Sequence, residues 1–181
     1  MNESRTCFIV AQKLDMSKEY LSAEHIEYLM SELHDRLIHM ITDESVSYFI
    51  VGLQPGIEQS VAELLINLKK EYPSITVEFV IQGQDESIKL IERPDYHTLM
   101  DQCDNLLELY QHEDEDFFLS RNKVMIDRSD ILVSIWNGED FYIKSAINYS
   151  VRRSHTTIVI DRTIITDEST EYPTITEYIS K

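Results

Sequence analysis

Two segments of the chain carry residue types that could do chemistry. The first is Gly52-Leu53-Gln54-Pro55-Gly56-Ile57-Glu58. A glycine turn between an apolar run and a helical pattern can aim the N–H groups of a helix start at an anion, usually phosphate. The simpler reading is an ordinary strand-to-helix turn. The second segment runs from Arg121-Asn122 through Asp127-Arg128-Ser129-Asp130 to Trp136-Asn137-Gly138-Glu139. A guanidinium fork such as that of Arg121 holds a phosphate or a carboxylate in two hydrogen bonds. In so acidic a chain the competing reading is a structural ion pair with Asp127, Asp130 or another neighbouring acid. Trp136 either belongs to the core or edges a pocket, where its ring would stack on a base. Neither standard nucleotide fingerprint is present, because no Gly-Lys-Ser/Thr follows the turn and no G-x-G-x-x-G occurs.

Other chemistries find less support. The six histidines are scattered, and His34 and His39 are five apart, off the same-face spacing of a helical metal pair. Cys7 and Cys103 have neither metal-type spacing nor a disulfide framework, and read as reduced thiols. No catalytic residue, metal ligand or cofactor is assigned from these patterns. The 33 acidic and 16 basic residues give a net charge of −17. Such a surface repels phosphate backbones, so nucleic acid is not an expected partner. It serves solubility, or attracts a basic protein. No apolar stretch reaches membrane-spanning length. The opening Met1–Thr6 is polar and the run after it is only strand-length, so the expectation is a cytoplasmic location.

The elements that must position the two segments follow from periodicity. Cys7–Ala11, Val46–Val51, Ile75–Ile81 and Ile131–Trp136 are apolar runs suited to buried strands, with Asn105–Tyr110 and Thr156–Ile160 as further strands. Helical spacing covers 22–41, 57–72, 94–103, 117–128 and 142–153, with a weaker helix over 86–92. This alternation predicts an α/β fold, a three-layer Rossmann-like domain with a mostly parallel sheet. The domain spans residues 1–165, and 166–181 reads as a polar tail. Both chemical segments follow strands, so both should emerge at carboxyl ends, where open α/β sheets bind ligands.

Taken together, the motifs resemble the YpsA-like branch of the SLOG superfamily, the Rossmann-like group that also holds the DprA/Smf and LOG proteins. In that branch a Thr-Gly-x-Lys/Arg segment ends the first strand, and Val10-Ala11-Gln12-Lys13 stands there. The glycine turn corresponds to Gly52–Glu58, with Leu53 in place of a middle glycine. Arg121, Asn122, Ile126, Asp127, Ser129 and Asp130 match an Arg-Asn then Asp-x-Ser-Asp pattern. Phe141-Tyr142-Ile143-Lys144-Ser145-Ala146 replaces the small pair that opens the next helix. Leu53 and the Phe141-Tyr142 pair therefore put side chains where the family lets a ligand approach bare backbone. The glycine-rich signature of the LOG phosphoribohydrolases is missing.

The resemblance implies a protein that binds a nucleotide or nucleotide-derived small molecule without catalysing a reaction. Lys13, Gly52, Gln54, Gly56, Glu58, Arg121, Asn122, Asp130 and Gly138 would line the site. Positive charge and helix N-termini would hold phosphate, and Glu58 would meet a ribose hydroxyl or organise the turn. One alternative is a member acting through protein contacts, as a homo-oligomer or with a basic partner. Another is hydrolysis of nucleoside or nucleotide N-glycosidic bonds with Glu58 as acid/base.

Overall fold

The computed structural model describes residues 4–12, 23–83, 93–110, 116–136, 138–161 and 174–178. Lys13, Asn137 and the helix expected over 86–92 lie outside them. The strands are β1 (Arg5–Ala11), β2 (Val46–Gly52), β3 (Thr76–Gln82), β4 (Asn105–Leu109), β5 (Ile131–Trp136), β6 (Thr156–Asp161) and β7 (Thr174–Tyr178). The helices are α1 (Ala23–Thr42), α2 (Ile57–Glu71), α3 (Pro94–Met100), α4 (Phe117–Asp127) and α5 (Phe141–Arg152).

The seven strands form one sheet in the order β4-β3-β2-β1-β5-β6-β7. The six strands β1 to β6 pair in parallel, and β7 joins β6 antiparallel. The mostly parallel sheet expected from the sequence is therefore present. The segment expected to be a polar tail supplies the edge strand β7. It pairs with β6 from Thr157↔Tyr178 to Asp161↔Thr174 through backbone hydrogen bonds, which need no apolar run.

Side-chain period two along β1 divides the interior into two cores. Cys7, Ile9 and Ala11 enter a cluster with Leu29, Leu33 and Leu37 of α1 and Val61, Leu65 and Leu68 of α2. Phe8 and Val10 enter the opposite cluster with Met125 and Ile126 of α4 and Ile143 and Ala146 of α5. Helices thus cover both faces, which makes three layers. This explains why β1 from Cys7 to Ala11 and all of β5 but its end are buried, whereas the edge strand β4 is mostly exposed.

Along the chain the strands progress outward from β1 to β4, then cross to β5 on the other side of β1. The reversal leaves a crevice at the carboxyl ends of β1 and β5, the usual ligand position in such sheets. Two aspartate caps fix the helices that face it. Asp116 Oδ1 accepts from the N–H groups of Phe118 (3.0 Å) and Leu119 (3.3 Å) to start α4. Asp140 Oδ1 accepts from Ile143 N (2.9 Å) to start α5.

Candidate functional site

A cleft of about 110 Å³ opens at this reversal point. Ala11 and Gln12 supply it from the end of β1, and Gln54 from the turn after β2. Phe118, Arg121 and Asn122 enter from the first half of α4, and Asp140, Tyr142 and Ile143 from the start of α5. The turn after β2 and the loop end before α5 therefore lie at one edge of the sheet and share one pocket.

The floor of the site is a buried ion pair. Arg121 and Glu58 are 4% and 2% exposed. The Arg121 NH1 and NH2 groups donate to Glu58 Oε2 (3.2 Å) and Oε1 (3.0 Å), the two-pronged geometry that makes such pairs strong. Glu58 Oε2 also accepts from Gln54 N at 3.2 Å, so the same carboxylate shapes the turn. Nε and NH2 of Arg121 both donate to Asn122 Oδ1 at 3.2 Å. Its guanidinium lies over the Phe118 ring, 5.5 Å from the centroid.

Gly52 makes this arrangement fit. It ends a strand and needs no special backbone angle. A Cβ there would overlap Glu58 Oε2 and lie 2.6 Å from Arg121 NH1. The missing side chain thus admits the ion pair against the backbone. Gly56, by contrast, has φ 104°, and Gly138 has φ 88°. These two are glycines for conformation, at the cap of α2 and in the loop before α5.

Asn122 is 3% exposed. The two guanidinium donors fix its Oδ1 toward Arg121, since the flipped amide would set N–H against N–H. Asn122 lines the cleft, and its Nδ2 is buried without an acceptor. Buried donors left unmatched are uncommon and costly.

A family model described as the YspA SLOG family (YpsA) matches residues 17–164. The chain belongs to the YpsA family of SLOG proteins. A UPF0398 protein of Bacillus cereus is 25% identical over 118 residues, covering 63% of this chain and 64% of that protein. The UPF0398 protein YpsA of Bacillus subtilis is 27% identical over 116 residues, 62% of this chain and 64% of its own. A UPF0398 protein of Staphylococcus haemolyticus is 22% identical over 154 residues, covering 80% and 82%. The chain spans slightly under two thirds of the length of the first two relatives.

Within the YpsA frame the expected site residues separate into groups. Gln54, Arg121 and Asn122 line the cleft. Gly52, Gly56 and Glu58 lie beneath or beside it and build its floor and turn. Gly138 belongs to the adjoining loop, and Lys13 is outside the described residues. Asp130 is not brought to the cleft. It stands at the amino end of β5, where its N–H donates to Thr6 O and its Oδ2 accepts from Thr6 N, both at 2.8 Å. Asp127 at the end of α4 is likewise held by Tyr149 and Arg153. Residues 121 and 127 are about 9 Å apart along the helix axis, so the motif serves both ends of the sheet.

Leu53 does not plug the cleft, being 2% exposed in the core under α1 and α2. Phe141 is 63% exposed. Tyr142 alone of the three lines the cleft, with its hydroxyl donating to Asp116 Oδ2 at 2.9 Å. Trp136 packs partly buried against the α4–α5 core. Phe118 is a site residue the sequence reading missed, and the signal for it is the i, i+3 spacing to Arg121 on one helix face. Asp140 was equally accessible as the cap before an apolar helix. Among the described residues no group of three His, Cys, Asp or Glu side chains could hold a metal ion, and no helix is long and apolar enough to cross a membrane.

Proposed function

We propose that this YpsA-family protein binds a nucleotide or a nucleotide-derived small molecule in the cleft at the β1–β5 reversal, and acts by binding. The observation that carries the reading is the buried, unpartnered Nδ2 of Asn122, a residue lining a cleft at the position where open α/β sheets hold ligands. Gln12, Gln54 and the rings of Phe118 and Tyr142 converge on the same space. A few polar groups among apolar walls is the usual make-up of a small-molecule site. An acid/base role for Glu58 gains no support, because both its oxygens are engaged by Arg121. A second reading, action through protein contacts, is favoured by one feature, the exposed Phe141 at the start of α5.

Calorimetric titration of the full chain with AMP, nicotinamide mononucleotide and ADP-ribose tests the proposal, with Gln54→Trp as a variant that fills the cleft. Saturable binding by the wild type that the folded variant lacks is expected. No binding across the three compounds, or equal binding by Gln54→Trp, would remove the cleft from the account and leave the protein-contact reading.

A further inference from the structure

Arg121 was expected to meet phosphate, yet its charge is already matched. Glu58 takes one donor from NH1 and one from NH2, and Asn122 Oδ1 takes Nε and NH2. Among the described residues lining the cleft, Arg121 is the one cation, and Asp140 adds a carboxylate. The chain as a whole carries −17. Against this described lining a phosphoryl group would find the counter-charge of Arg121 already spent, in a chain of negative net charge. The rest of the described lining is uncharged: Asn122, whose buried Nδ2 has no acceptor, the Gln54 amide, and two aromatic rings.

The volume points the same way. About 110 Å³ is well below the roughly 300 Å³ at which whole-ligand pockets begin. It suits one ring, with the rest of a ligand lying outside. The Phe118 and Tyr142 rings meet edge-to-face, centroids 5.5 Å apart. Tyr142 is anchored by its bond to Asp116, the cap of α4. These are fixed aromatic walls for a planar group, of the kind that nucleobases use.

Resting on the proposed function, we infer that this cleft is the subsite for an uncharged heteroaromatic ring, a nucleobase or similar, whose ring acceptor takes the Asn122 Nδ2 proton, and that it excludes phosphate.

The test is a calorimetric and thermal-shift comparison of adenosine, inosine and uridine, their 5′-monophosphates, and inorganic phosphate, on the full chain. At least one nucleoside should bind within about threefold of its monophosphate, and inorganic phosphate should neither bind nor compete. Asn122→Asp keeps the oxygen that Arg121 needs but removes the donor, and should weaken that nucleoside by about tenfold or more. Glu58→Gln uncovers the guanidinium charge and should create phosphate binding that the wild type lacks. Monophosphates that bind while nucleosides do not, or phosphate that competes, would overturn the inference and leave the proposed function standing. Failure of every compound would overturn both. Nucleoside binding undiminished in folded Asn122→Asp would overturn the assignment of the ring to this donor.

Discussion

Replacing Gly52 by alanine should damage the site through a single methyl group. Gly52 lies within a strand, and its backbone admits any residue. On backbone grounds alone, alanine would gain about 0.5–1 kcal/mol over glycine. The structure reverses that sign. The added carbon would overlap Glu58 Oε2 and stand 2.6 Å from Arg121 NH1. Overpacking a well-filled interior costs about 1–3 kcal/mol. Full separation of a buried ion pair costs about 3–5 kcal/mol. Displacing the pair without deleting it falls between, so a loss of about 3 kcal/mol is expected. For a chain of this size each kcal/mol moves the melting temperature by about 2–4 °C, giving a fall of about 6–12 °C. Urea and thermal unfolding measure it. The decisive comparison repeats Gly52→Ala in a Glu58→Ala/Arg121→Ala background. All the atoms nearest the new methyl belong to those two side chains, so there the substitution should be neutral or slightly stabilising. An equal penalty in both backgrounds, or none in the wild type, would refute the reasoning.

Three further outcomes follow from the same structure. Arg121→Ala alone leaves Glu58 buried and unpaired and should cost about 3–5 kcal/mol in urea unfolding, whereas Glu58→Gln/Arg121→Met together should cost much less. His155 has its pKa held below the ordinary 6.5, chiefly by burial, with Asp130 opposing and Arg153 assisting. Its contribution to stability is therefore complete above pH 6.5 and is lost as pH falls from there through the lower folded-state value. His155→Gln should flatten the melting-temperature profile in that interval, and an unchanged slope would count against the assignment. Ser154 holds φ at 60° in the turn before β6, so Ser154→Gly should raise stability by up to about 1 kcal/mol, read as a small rise in melting temperature.

The fold was legible because burial leaves a periodic trace. The centres of β1, β2 and β5 are covered on both faces and read as largely apolar runs, Cys7–Ala11, Phe49–Val51 and Ile131–Trp136, while Leu29, Leu33 and Leu37 mark the inward stripe of α1. The strand at Thr174–Tyr178 was hidden because an edge strand on a polar segment needs no such run. The two halves of the site were visible as segments, but not their contact. Glu58 and Arg121 are 63 positions apart, and in a chain with 33 acidic residues nothing in the sequence says which one an arginine will choose. Gly52 was read as lining a ligand site, and nothing in the sequence showed that the space where its Cβ would stand holds that pair. Asp130 was grouped with Arg121 because they share a motif, although the intervening helix carries them to opposite edges. Leu53 seemed an obstruction until its direction into the core was known.

The most direct measurement is the side-chain amide signal of Asn122. In a nitrogen-15 labelled full chain, the Asn122 NH₂ pair can be assigned by its loss in Asn122→Asp and followed during titration with adenosine, inosine and uridine. The account predicts that this pair shifts saturably with at least one nucleoside, together with the backbone signals of Gln54 and Tyr142. Signals that stay fixed with all three, or shifts confined to residues away from the cleft, would contradict it.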